Sequence, residues 1–130
     1  MEFGMHDKFA ITPMDGYIYV EVFAKGNSDE VLGLWKNIAA ACNQQQCFNI
    51  LGVTRFKMGV DTLTGLDHHS VFLEVGIDHR YRIAWVGESQ HVYESIEFIK
   101  NVLANRATGY GKIFSNEDDA KKWLRNKARK

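Results

Sequence analysis

A chain of 130 residues fits one domain, and at this length about two-thirds of the surface of the unfolded chain is buried on folding, so one real core is expected. Sixteen Lys and Arg against sixteen Asp and Glu leave no net charge, which excludes a general nucleic-acid binder that must neutralise phosphates across a whole face. The opening residues MEFGMHDKFAITPMDG hold no basic segment followed by an unbroken apolar run, and no stretch reaches the roughly 18 apolar residues of a membrane span, so a cytoplasmic protein is expected.

In chain order, FAIT and YIYVEVF are β-rich runs separated by PMDG, whose Pro, Asp and Gly supply turn dihedrals; they predict a hairpin from Phe9 to Phe23. Asn27 can cap the next segment and Glu30 complete a capping box, after which Val31, Leu34, Trp35, Ile38 and Cys42 recur at helical spacing and predict a helix from Asp29 to about Gln44. Cys42 and Cys47 are separated by NQQQ, which makes neither a CxxC pair nor a zinc knuckle; both are read as structural thiols. CFNILGVTRF is apolar enough for a strand covered on both faces, as in a parallel sheet.

The stretch RFKMGVDTLTGLDHHSVFLE, Arg55 to Glu74, carries two periods at once. Asp61 or Thr62 can cap a helix with Leu63, Leu66 and Phe72 on its apolar positions, whereas Val71, Leu73, Val75 and Ile77 alternate like a strand. A helix from about Thr62 to Glu74 is expected, because it supplies a crossover between parallel strands; the alternative is a hairpin from Val71 to Val86. Tyr81 to Gly87 is the next buried strand, followed by a helix carrying Val92, Ile96, Ile99 and Leu103 on one face and stopped by Gly109. YGKIF is a short strand, and Ser115 with Asp118 can open a last helix whose inward stripe is Ala120, Trp123 and Leu124.

This succession of a hairpin, a helix, NILGVTRF, RIAWVG, NRATGYGKIF and the closing FSNEDDAKKWL resembles the SpoIIAA-like, or STAS-like, family over Phe9 to Leu124. The resemblance implies one domain of α/β class over residues 1–130, a mixed sheet of four to five strands with an N-terminal hairpin, flanked by about four helices. It also implies a non-catalytic binding or regulatory role. STAS domains of anti-sigma factor antagonists bind protein partners under phosphorylation control, and lipid carriers of related architecture hold an apolar ligand under a mobile helix.

DTLTGL, Asp61 to Leu66, stands where the antagonists carry their phosphorylated turn. A phosphate there would meet the positive end of a helix. Arg55, Lys57, Thr62 and Thr64 are therefore the candidates for a partner surface or phospho-switch, although Thr replaces Ser, a Leu intrudes, and a plain N-cap with a solvated Thr explains the same residues. His68 and His69 are adjacent and point to different sides of a helix, and no HExxH or Cys cluster accompanies them or His79 and His91, so no metal is expected. Neither GxSxG nor a Cys with an assignable His partner appears, and VGES and GYGK lack the spacing of a phosphate-binding loop, so no enzyme activity and no cofactor are expected.

In open α/β sheets ligands gather beyond the carboxyl ends of parallel strands. Those ends are expected at Thr54 to Met58, Gly87 to Gln90, and Phe114 to Ser115. Phe56, Met58, Val60, Leu63, Leu66 and Phe72 concentrate at the first of them, which predicts an apolar small molecule or lipid bound under a lid from Lys57 to Phe72. Each of these side chains taken singly is a plausible core residue. Lys121, Lys122, Arg125, Lys127, Arg129 and Lys130 form a basic terminus that complements the dipole of the last helix and could also meet anionic lipid, giving peripheral attachment at the inner membrane face. An exposed lid could equally serve a protein partner or a dimer.

Overall fold

The computed structural model describes residues 8–23, 28–55, 70–78, 80–87, 89–105 and 111–127, with side chains at all of these except 28, 91, 95, 99, 102–105, 126 and 127. Strands β1 (Phe9–Met14) and β2 (Tyr17–Val22) form the hairpin, turning at Gly16 with φ 89°, a left-handed value that glycine adopts without steric cost. In the antiparallel register Phe9 opposes Val22 and Pro13 opposes Ile18. Helix α1 (Ser28–Gln45) follows, then β3 (Asn49–Thr54), helical residues 70–75 (α2), β4 (Arg82–Gly87), α3 (Gln90–Asn105), β5 (Gly111–Phe114) and α4 (Glu117–Lys127). The sheet is five-stranded in the order β1-β2-β3-β4-β5, parallel from β2 onward.

Strand alternation makes two cores, one on each side of the sheet. On the first face, Ile18 and Val20 of β2, Ile50 of β3 and Ile83 of β4 meet Leu34, Trp35, Ile38 and Cys42 of α1 with Val71 and Phe72 of α2. On the second, Leu51, Val53, Ala84 and Val86 are covered by Ala120 and Leu124 of α4. β3 and β4 are buried on both faces, which is why NILGVT and RIAWVG read as apolar runs rather than alternations.

The helix ends are closed by backbone geometry. At α1, Gln46 takes φ 52°, Gln46 N donates to Asn43 O at 3.4 Å and Cys47 N to Cys42 O at 3.0 Å, the two bonds of a Schellman motif. At α2, Gly76 (φ 91°) ends the helix while Gly76 N and Ile77 N both donate to Phe72 O, at 3.0 and 2.9 Å. Residues 71–75 are therefore helical and the alternative hairpin from Val71 does not form. The apolar alternation of Val71, Leu73 and Val75 puts Val71 in the core and Leu73 in solvent, since a helical turn separates them by 200°. The last helix starts one residue later than expected: Asn116, not Ser115, is its cap, with Asp119 N donating to Asn116 Oδ1 at 2.9 Å and Asn116 Nδ2 donating to Asp119 Oδ2 at 3.2 Å. Asn and Ser are equally good caps and each is followed three residues on by an Asp, so the local sequence alone does not choose between them.

Candidate functional site

The carboxyl edge of the parallel strands is where the sheet offers groups to a ligand. Among the described residues the strand order runs from β1 to β5 without reversal, and these strands build no switch-point crevice of the kind used by doubly wound sheets. Two of the three expected strand ends meet. Gly87, Ser89, Gln90, Tyr93 and Ser115 line a pocket of about 240 Å³. Ser89 caps α3, with Val92 N donating to Ser89 Oγ at 3.2 Å and Tyr93 N to Ser89 O at 2.9 Å. A Cβ at Gly87 would lie 2.8 Å from Tyr93 N, so only glycine lets the helix start this close to the strand. Gln90 Nε2 donates to Glu94 Oε2 at 2.7 Å. The lining supplies hydroxyls and an amide, and among these five residues there is no general base and no cation.

On the first face, near the same edge, lies an aromatic group. Gly52 opposes Trp85 in the β3–β4 register, and a Cβ on Gly52 would sit 2.2 Å from the Trp85 ring: the indole lies flat over the glycine. Trp85 Nε1 donates to Thr54 Oγ1 at 2.9 Å, which satisfies the buried threonine at the end of β3. Trp35 of α1 stands 5.8 Å from Trp85 and 4.6 Å from Phe72, the latter edge to face at 67°. Trp35 is 4% exposed, and among the described residues its Nε1 has no hydrogen-bond partner. An orphaned buried N–H costs about 1–3 kcal/mol, so a donor in this position calls for an acceptor.

Arg55, just beyond β3, belongs to an ion-pair cluster on the opposite face. Its Nη2 donates to Glu21 Oε2 at 3.1 Å, to Glu117 Oε2 at 3.1 Å and to Tyr19 Oη at 3.0 Å, and Nε reaches Glu21 Oε2 at 3.2 Å. Tyr19 also donates to Glu117 Oε1 at 3.2 Å. Burial, then the carboxylates of Glu117 and Glu21, push the Tyr19 phenol up to about 12. The hydrogen bonds to Glu21 and Glu117 outweigh desolvation, the largest single influence, and raise Arg55 above its ordinary value. The cluster ties the exit of β3 to β2 and to the first turn of α4.

Of the apolar residues expected to hold a ligand, Phe72 is described and stands in the core, 3% exposed, against Trp35. Phe56, Met58, Val60, Leu63 and Leu66, with Lys57, Thr62 and Thr64, lie outside the described residues, as do His68, His69 and His79. Among the described residues no three His, Cys, Asp or Glu side chains gather around a common point. Of the basic terminus, Lys121 is half-buried and Lys122 and Arg125 are exposed; Lys127 ends α4, and Arg129 and Lys130 fall outside the description. Trp123 is held between Phe114, 5.8 Å away, and Arg82, whose guanidinium carbon lies 4.4 Å above its ring. Among the described residues no helix is long and apolar enough to cross a membrane.

Sequence reasoning places Trp35 on the inward stripe of its helix and leaves Trp85 and Arg82 unremarked. Trp85 could have been singled out by the glycine interrupting NILGVT, because a glycine inside a strand often marks the close approach of a large neighbour. Arg82 gives no such signal: a charged first residue of a strand is commonplace.

Compared with known proteins, the chain matches no family model, no curated protein and no solved structure.

Proposed function

We propose that this chain is a non-catalytic binding module of the SpoIIAA-like, or STAS-like, kind, and that it takes an apolar small molecule or lipid bearing a hydrogen-bond acceptor against Trp35, Phe72 and Trp85. The observation that carries the reading is the buried Trp35 Nε1 without a partner among the described residues, set in an aromatic group close to where the chain leaves β3. An apolar body would be recognised by the rings, and one carbonyl or carboxylate oxygen by the indole N–H. The five-stranded mixed sheet opening with a hairpin supports the family assignment.

The test is a titration of delipidated protein with a long-chain fatty acid, followed by tryptophan emission. A saturable change at one ligand per chain is expected, weakened at least tenfold in Trp35→Phe, which keeps an aromatic ring but removes the donor. A flat titration would sink the reading.

A second reading, a protein partner bound in the manner of an anti-sigma factor antagonist, is favoured by Leu73. It is 64% exposed on the same short helix whose neighbouring Phe72 faces the core. Capture of one specific protein that is lost in Leu73→Ser, with the fatty-acid titration flat, would select this reading. Peripheral contact with anionic lipid is supported only by exposed Lys122 and Arg125. Sedimentation with phosphatidylserine vesicles that is abolished by salt would establish it.

A further inference from the structure

The end of α1 brings two thiols together. In the Schellman motif Cys42 and Cys47 occupy the two positions whose side chains pack on one another, and the bond from Cys47 N to Cys42 O at 3.0 Å closes the turn between them. Covalent bond lengths added to that hydrogen bond hold the two Cα atoms to within about 7 Å, the outer edge of the span a disulfide accepts. The two thiols are close enough for Cys47 to act electrostatically on Cys42. Both are free in the structure; Cys42 is buried and Cys47 half-buried.

We propose that Cys42 and Cys47 form a reversible intramolecular disulfide, making the junction between α1 and β3 a thiol-exchange site for low-molecular-weight disulfides such as glutathione disulfide. Cys47, the accessible member, reacts first. Its thiolate attacks one sulfur of glutathione disulfide, and one glutathione leaves as the thiolate and takes up a proton. The chain now carries a mixed disulfide at Cys47. Cys42 then loses its proton, attacks Cys47 Sγ and expels the second glutathione. Two protein thiols are thus oxidised, one glutathione disulfide is reduced to two glutathione thiols, and no other oxidant is needed.

Burial, and the neighbouring Cys47, push the Cys42 thiol up to about 12, which makes Cys42 the poorer first attacker and leaves the opening step to Cys47. The closed loop spans only the six residues from Cys42 to Cys47. So short a loop constrains the unfolded chain little, which keeps the bond open to reduction. The consequence is local. Phe48, the next residue, stands edge to face with Tyr81 at 5.0 Å and lies beneath the Arg80 guanidinium, also at 5.0 Å, so oxidation would act on the packing at the amino end of β3 and β4. This site is independent of the ligand reading.

The experiment exposes the folded, reduced full chain to glutathione disulfide without denaturant and follows intact mass. The expected result is loss of two hydrogens per monomeric chain, reversed by dithiothreitol, with no glutathione retained. Cys42→Ala should stop at one glutathione per chain, and Cys47→Ser should gain none. A wild-type chain that keeps glutathione on Cys47, that bonds only to a second chain, or that fails to react until unfolded would overturn the proposal.

Discussion

Arg82 and Trp123 face one another across the second core: the guanidinium of Arg82 lies over the indole at 4.4 Å while its Nη2 donates to the Trp123 carbonyl at 3.3 Å. Nη1 donates to the Leu124 carbonyl at 3.2 Å and to Asn49 Oδ1 at 3.4 Å. A cation from the start of β4 thus meets the negative end of α4. Arg55 holds the other end of the helix through Glu117. Arg82→Ala is expected to cost about 2 kcal/mol in urea denaturation, from one cation–π contact and charge-assisted hydrogen bonds. Arg82→Lys should recover less than half, because an ammonium lacks the planar fork that spans two carbonyls.

Gly52→Ala tests the contact between β3 and Trp85. The added methyl cannot coexist with a ring 2.2 Å away, and the ring is pinned by its bond to Thr54. Destabilisation of about 1–3 kcal/mol is expected, with a loss of near-ultraviolet circular dichroism from the displaced indole. Unchanged stability and spectrum would show that Trp85 does not lie over Gly52.

Asn116→Ala removes the cap of α4 and should cost about 1 kcal/mol, whereas Ser115→Ala should be nearly neutral. Equilibrium denaturation of the two variants side by side distinguishes them. The reverse order would move the cap back to Ser115.

Alkaline pH should destabilise the fold. Tyr19 is raised from 10.0 to about 12 and Cys42 from 9.0 to about 12, both first by burial. Each is an acid kept neutral in the folded state, so its contribution is complete below the unfolded value and disappears as the pH rises toward the folded one. Between those values the unfolded chain binds fewer protons than the folded chain, and stability falls with rising pH. Denaturation midpoints should therefore decline from about pH 9 toward pH 12. Tyr19→Phe should flatten the part of that decline above pH 10, which a simple loss of packing would not do.

The architecture was legible because its signals are periodic. The hairpin, α1, β3, β4, α3, β5 and α4 all lie within a few residues of where alternation, helical spacing and turn chemistry put them. Arg55 to Glu74 was harder, since Val71, Leu73 and Val75 satisfy a strand period while Phe72 satisfies a helical one. The backbone bonds that converge on the Phe72 carbonyl resolve it as helix for residues 70–75. The candidate site was less legible because its relations are long-range. Gly52 meets Trp85 only through the register of two parallel strands, Trp35 meets both Trp85 and Phe72 only once α1 and α2 share a face, and Arg82 finds Trp123 only after the last helix folds back. No local window of sequence contains any of these pairs. Conversely, the strand ends at Gly87 and Phe114 were legible in advance, because they depend on strand direction and turn chemistry and not on side-chain detail.

Whether Trp35, Phe72 and Trp85 hold an apolar ligand with one acceptor is decided by mass spectrometry of the organic extract of freshly purified protein, beside an equally handled control protein and the Trp35→Phe variant. An apolar, oxygen-bearing compound near one per wild-type chain is expected, strongly reduced in Trp35→Phe and missing from the control. A wild-type extract no richer than that of the control would contradict it.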